Sequence, residues 1–366
     1  MLESPHCGPA GACVECTDSA QCTADAPICE QSTNTCVEAP PKCVPELLFI
    51  RGNPAFGLTL NGQMFHVSPA DLLEKPVFTE MTQSDGAYSR DGTRLAWVQA
   101  AQVLWVGDAD GQNAVKIDDV SQNSTSTFIS NPRWSPDGTH LAYQVFPFGQ
   151  QDQVHIWISD LSASPTNITS NAEADAAEWS PDGVKLAFES VRTGNVDIFT
   201  MNVNGSNQTN LTQATRDQVL PLWSPDGNSI LFDGPINGTS STAIWRMNSD
   251  GSGQQSVTSP LTTTSDSSPR WVSNEQILYI HTVSGGDPGQ LYVTTPQGTN
   301  QHVFSPSASS QYSPMPSPDG KYIAWSEFDS GQNTQMWISK TDVVVPTRIT
   351  NSVGLNNVAL GWKPCP

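Results

Sequence analysis

Trp134-Ser135-Pro136-Asp137-Gly138 recurs without a mismatch at Trp179-Ser180-Pro181-Asp182-Gly183 and again at Trp223-Ser224-Pro225-Asp226-Gly227. Looser copies stand at Tyr88-Ser89-Arg90-Asp91-Gly92, Trp271-Val272-Ser273-Asn274-Glu275 and Pro316-Ser317-Pro318-Asp319-Gly320, and Trp362 closes the series. The spacings along the chain are 46, 45, 44, 48, 45 and 46 residues. Three identical pentapeptides at one period mean a structural repeat.

Each copy has a local physical reading. Proline after serine presets φ for the first turn position, aspartate suits the second through its side-chain bond, and glycine accepts a left-handed exit. Ser-Pro-Asp-Gly is therefore a hairpin turn. Short apolar runs follow it, such as Leu141-Ala142-Tyr143 and then Ile156-Trp157-Ile158, or Ile230-Leu231-Phe232 and then Ile244-Trp245. A polar turn such as Asn204-Gly205 or Asp250-Gly251 and a last short segment such as Asn210-Leu211-Thr212 complete the unit. Four strands per repeat of about 40 to 50 residues is the pattern of a β-propeller. The expected fold is all-β, a seven-bladed β-propeller of four-stranded antiparallel blades.

The Pro-x-Trp-Ser-Pro-Asp-Gly pattern, with Pro132, Pro221, Pro269 and Pro314 two places before the tryptophan position, resembles the TolB-like (WD40-like) propeller repeat family of exported bacterial proteins. The resemblance covers residues 46–366. It implies a propeller without the separate α/β domain of TolB itself. Trp362 opens a repeat that ends at Pro366, while Leu47–Ile50, Met64–Val67 and Pro76–Phe78 read as strands with no tryptophan before them. Chain end and chain start are expected to share one blade and close the ring. Cys43 and Cys365 flank those strands, so a disulfide between them is expected. Its long loop gives an idealised stabilisation on the order of 5 kcal/mol.

Residues 1–42 are expected to form a cysteine-rich disulfide module and residues 43–366 the propeller. Cys7, Cys13, Cys16, Cys22, Cys29 and Cys36 lie in a stretch poor in large apolar side chains, so disulfides replace a core, with pairing left open. Cys13-Val14-Glu15-Cys16 lacks the second Cys-x-x-Cys that a zinc site needs. Cysteines confined to the ends place the chain in an oxidising compartment: secreted, cell-surface or periplasmic. Met1-Leu2-Glu3-Ser4 does not begin a signal peptide, and no apolar run reaches the length of a membrane span.

A formal charge of −20 over 366 residues excludes nucleic acid as a partner and favours basic partners or cations. The sequence carries no Gly-x-Ser-x-Gly, His-Glu-x-x-His or phosphate-loop motif, so no catalytic residue and no metal ligand set is assigned. No cofactor is expected beyond a channel-bound cation such as calcium. Propellers work through the face formed by the loops between second and third strands and the loops joining successive blades. On that face the repeat places Phe146, Phe148, Arg192, Asp233, His281 and Glu327 in the first set of loops, and Glu173, Asp175, Arg216, Asp217, Asp266 and Tyr312 in the second. Phe146 and Phe148 read equally as a binding wedge or as a plug over their blade. The expected function is non-catalytic binding of a protein or polysaccharide partner through these loops. A carbohydrate-active lyase or hydrolase at the channel is the alternative, and a structural assembly protein docking through the cysteine-rich arm is a third reading.

Overall fold

The fold was analysed in a computed structural model that describes residues 27–30, 35–38, 43–52, 62–80, 82–122, 127–147, 153–161, 164–170, 173–236, 238–283, 288–330 and 333–365. It divides into two compact units, Met1–Val44 and Pro45–Pro366. In the first unit, β1 (Pro27–Glu30) and β2 (Thr35–Glu38) form an antiparallel hairpin with Cys29 opposite Cys36 in the register. Cys7, Cys13, Cys16 and Cys22 lie outside the described residues, as do the side chains of Cys29 and Cys36. Cys43 and Cys365 are each disulfide-bonded.

The second unit begins with β3 (Glu46–Gly52), β4 (Gly62–Val67), β5 (Glu74–Pro76), β6 (Gln83–Tyr88), β7 (Arg94–Gln99), β8 (Val103–Asp108) and β9 (Val115–Asp119). Four-stranded sheets follow in chain order. They are β10 (Thr127–Trp134) with β11 (Leu141–Pro147), β12 (His155–Ser159) and β13 (Thr166–Asn167), then β14 (Asp175–Trp179) with β15 (Lys185–Ser190), β16 (Asp197–Asn202) and β17 (Thr209–Asn210). The next is β18 (Val219–Trp223) with β19 (Ser229–Pro235), β20 (Thr242–Asn248) and β21 (Gln255–Ser256). It is followed by β22 (Thr264–Ser273) with β23 (Gln276–Val283), β24 (Gln290–Thr294) and β25 (His302–Ser305). The last is β26 (Gln311–Pro316) with β27 (Tyr322–Phe328), β28 (Thr334–Lys340) and β29 (Thr347–Arg348), after which the chain ends in β30 (Asn356–Lys363).

The expectation of seven separate four-stranded blades does not hold. Five sheets have four strands each, and the remaining strands form one eight-stranded sheet in the order β30-β3-β4-β6-β7-β8-β9, with β5 paired to β4. The join is the pairing of Gly62 with Gln83. Gly62 has no side chain to keep a neighbour away, and a Cβ there would fall 2.5 Å from the Arg51 carbonyl oxygen. No periodic signal announces such a contact.

The last strand does lie beside the first of this unit: Trp362 is opposite Leu47, and both are buried in one cluster with Phe49, Ala324 and Met336. The leading strands follow one another round a circle, β6 touching β10, β10 touching β14, and so on to β26 beside β30 and β30 beside β6. Neighbouring sheets cover both faces of each second strand, which is why Leu141–Phe146 or Ile230–Asp233 is buried without alternation. Tryptophan ties sheet to sheet. The Trp134 indole donates to the Ala87 carbonyl at 2.9 Å, Trp179 to Arg133 at 3.0 Å and Trp362 to Met315 at 3.0 Å.

At the foot of each leading strand the turn forms as its residues dictate. Ser135 Oγ donates to Asp137 Oδ1 at 2.6 Å and accepts the His140 N–H at 2.9 Å, while Gly138 takes φ of 68°. Asp137 is held down at about 2 by the Ser135 hydroxyl and the Thr139 N–H and hydroxyl. Ser180–Asp182 and Ser224–Asp226 repeat the arrangement.

Candidate functional site

The other end of the leading strands is built by a β-bulge. The register of β10 against β11 shifts between Ser130 and Arg133, and corresponding shifts lie between Asp175 and Glu178, Val219 and Leu222, Ser267 and Arg270, and Tyr312 and Met315. Inside each shift sits a residue of left-handed φ: Asn131 at 50°, Ala176 at 51°, Leu220 at 58°, Ser268 at 55° and Ser313 at 50°. A bulged residue turns its N–H out of the ladder, and a buried N–H needs an acceptor. For four of the five a carboxylate supplies it. Asn131 donates to Asp85 Oδ2 at 2.7 Å, Ala176 to Asp175 Oδ1 at 2.6 Å, Leu220 to Glu189 Oε1 at 2.6 Å and Ser268 to Asp233 Oδ2 at 2.9 Å.

These acids crowd one another. Burial pushes Glu189 up to about 7 against the pull of the Leu220 N–H, and the charges of Asp175 and Asp217 add to the rise. Burial likewise raises Asp233 to about 7, with the Ser268 N–H and Arg270 opposing and Glu189 and Asp266 reinforcing. Asp233 is 6 % exposed, and its Oδ1 is buried with no hydrogen-bond partner. Closer to the tryptophan level, Arg133 lies within charge range of Asp85 and Glu178, and Arg270 of Glu178 and Asp233. Burial raises Asp85 and Glu178 and lowers Arg270. The arrangement is an acidic cluster at the bulge end, backed by two arginines.

Of the residues expected from the repeat, Asp175, Asp217, Asp233 and Asp266 come together here, and His281 Nδ1 lies 2.6 Å from Asp266 Oδ1. The others have different surroundings. Glu327 is buried, accepting from the Trp325 indole at 2.9 Å and the Gln311 amide at 3.0 Å. Arg192 stacks 4.6 Å over Phe199, and Arg216 donates to the Thr239 carbonyl at 2.9 Å. Glu173 accepts the Ser190 hydroxyl through its backbone carbonyl, and Tyr312 packs 5.0 Å from Phe328. Phe146 is buried with its ring 6.1 Å from Phe128, and Phe148 lies outside the described residues.

Asp85, Glu178, Glu189, Arg133 and Arg270 were missed by the loop-based reading, and Asp175, Asp233 and Asp266, which it placed in loops, stand in β14, β19 and β22. The signal was present in the prolines. Pro132, Pro221, Pro269 and Pro314 each follow a left-handed residue, and proline within a strand marks a bulge. Among the described residues no group of three or more His, Cys, Asp and Glu side chains is arranged to hold a metal ion.

The family described as the TolB beta propeller domain matches residues 78–288, more than half of the chain. The Tol-Pal system protein TolB of Bordetella pertussis is 35 % identical over 166 residues, covering 44 % of this chain and 36 % of the relative. The chain thus spans well under half the length of the curated relatives it matches, 21 % for the TolB of Albidiferax ferrireducens. Among solved structures, TolB from Acinetobacter baumannii superposes with a TM-score of 0.54 at 17 % identity, covering 86 % of this chain and 83 % of the other. An oligogalacturonate lyase in complex with manganese reaches 0.59 at 14 % identity, covering 83 % and 84 %. At such identities these two superpositions show the fold alone.

Proposed function

The chain belongs to the TolB β-propeller family, and from this premise we propose that it is an exported, periplasmic-type, non-catalytic propeller that binds a protein partner through the bulge end of its leading strands. The observation that carries the reading is the convergence of Asp175, Glu189, Asp217, Asp233 and Asp266 on that end. Repelling carboxylates raise one another's pKa, and a basic side chain brought among them relieves the repulsion. The net charge of −20 steers such a partner inward. The curated relatives carry the name of a Tol-Pal system, which supports a protein as the partner.

A peptide array of varied basic content, read by surface-plasmon titration against the full chain, tests this. Binding should track lysine and arginine content, weaken with salt, and fall in Asp175→Asn/Asp217→Asn. Equal binding of neutral and basic peptides defeats the reading.

Carboxylates near neutrality are also what acid–base catalysis uses, which favours a carbohydrate-active enzyme as the second reading. A polysaccharide panel with reducing-sugar and unsaturated-product readouts separates the two. Turnover abolished by Glu189→Gln establishes the enzyme and removes the binding reading.

A further inference from the structure

The second and third strands of the sheets face each other through aromatic pairs, and the chain itself covers most of them. Arg51, two places beyond Phe49, stacks 4.8 Å over Phe65 on the paired strand. His281, two places beyond Tyr279, lies 4.9 Å from Tyr292. Glu327, two places beyond Trp325, accepts the Trp325 indole N–H. Beside Phe188 the cover is Arg192, stacked on Phe199 and held by the Ser190 hydroxyl at 2.7 Å. In three of these sheets position plus two is the cap, and in the fourth it is Ser190, which anchors the covering Arg192.

In the sheet of β18–β21 the aromatic pair is Phe232 and Trp245, stacked at 6.3 Å, and position plus two is Gly234. No side chain covers the pair from there, since even a Cβ on Gly234 would lie 3.0 Å from Trp245 Cδ1. Beside the pair lies a cavity of about 240 Å³, bordered by Trp245, Phe232, Arg216, Gln218, Gln254 and Thr215. Arg216 does not fill it as Arg192 fills the neighbouring sheet, because its Nη1 is engaged by the Ile236 and Thr239 carbonyls. Gln254 Nε2 donates to the Leu211 carbonyl at 2.8 Å and Gln218 Nε2 to the Arg216 carbonyl at 3.3 Å. Both amide oxygens are left without a partner among the described residues.

We propose that this cavity is a saccharide subsite, in which the C–H face of one pyranose ring packs on Trp245 while its hydroxyls meet Gln218, Gln254 and Arg216. The lining decides the class of ligand. A second cation would repeat the Arg192 arrangement, but Arg216 already brings a positive charge and no carboxylate lines the cavity to balance another. Hydroxyls both donate and accept, and the lining offers free amide acceptors beside guanidinium donors. A purely apolar guest would leave those groups unpaired at a cost. The aromatic wall then supplies the apolar contact that a sugar's C–H face needs. The cavity is lined by none of the cluster's carboxylates, although Arg216 and Gln218 flank Asp217, so it stands whether or not that cluster binds a protein.

The test is a titration of the isotope-labelled full chain with the methyl glycosides of glucose, N-acetylglucosamine and galacturonic acid, following the Trp245 indole N–H resonance assigned through Trp245→Phe. At least one probe is expected to shift that resonance saturably, and Gln218→Ala/Gln254→Ala should weaken its binding roughly tenfold or more. Both glutamines are on the surface side of the fold, so the double variant is expected to keep its spectrum elsewhere. If no probe shifts the resonance saturably, or if the double variant binds as tightly as the parent, there is no subsite. Peptide binding measured on Gln254→Ala, which neighbours none of the cluster acids in sequence, should be unchanged, which keeps this outcome distinct from that of the acidic cluster.

Discussion

The two ends of the sheets hold the same kind of residue with its pKa pushed in opposite directions. At the turn end Asp137 is kept at about 2 by the Ser135 hydroxyl and the Thr139 N–H and hydroxyl, all within two residues of it. At the bulge end Asp233 is raised to about 7, because burial and the charges of Glu189 and Asp266 outweigh the one N–H it receives from Ser268 and the charge of Arg270. A carboxylate solvated by its own turn is a structural clasp. A carboxylate gathered with others from distant parts of the chain is a group waiting for a counter-charge, and this difference separates scaffold from site.

The heaviest blow to this contrast falls on the tryptophan that joins neighbouring sheets at the turn end. Trp179→Ala removes a side chain buried in a cluster with Ile156, Leu186 and Phe188, together with its bond to Arg133. The expected loss is about 3 to 5 kcal/mol in chemical denaturation. A loss below about 1 kcal/mol would mean that the sheets are not held by these indoles.

The bulge end should respond in the opposite direction. A carboxyl whose pKa is higher folded than unfolded binds more protons in the native state. Its cost to stability is therefore absent at low pH, grows as pH rises from about 4 to 7, and is complete above that range. Asp233→Asn is expected to stabilise the protein at pH 8 by up to about 4 kcal/mol, with a gain that shrinks as pH is lowered toward 4. Denaturation midpoints across that range measure it, and a loss of stability at pH 8 would show that the charged form is compensated where it stands.

The turn end gives the smallest effect and the sharpest sign. Asp137, with a depressed pKa, contributes stability above about pH 4 that is lost as pH falls toward 2. Ser135→Ala should cost about 1 kcal/mol at pH 7 and return the Asp137 carboxyl toward its ordinary value in a carbon-detected NMR titration. An unmoved titration would show that the hydroxyl is not what holds the charge.

Much of the fold was legible before any coordinates. The Trp-Ser-Pro-Asp-Gly turns, the buried second strands and the pairing of chain end with chain start were all readable, since each depends on residues close in sequence or on a regular period. The division into sheets was not, because the Gly62–Gln83 pairing that merges strands into an eight-stranded sheet is one contact between non-periodic residues. Of the site, Asp175, Asp217, Asp233 and Asp266 were readable as candidates, though all but Asp217 stand in strands. Glu189, at the same place in β15 as Asp233 in β19, and Glu178, beside Trp179 in β14, became site residues only once the ring brought the bulges together.

By itself the sequence determined the repeat, its turns and the ionised clasp at each turn, because Ser135, Asp137 and His140 meet within five residues whatever the rest of the chain does. Only the tertiary structure decided which acids share a site and which of them stay half-protonated. The pKa of Glu189 depends on Asp175, Asp217 and the Leu220 N–H, groups on other strands and loops that a closed ring of sheets brings together. It also decided that Trp245 stands beside an open cavity, since the residues that border it come from separate strands and loops.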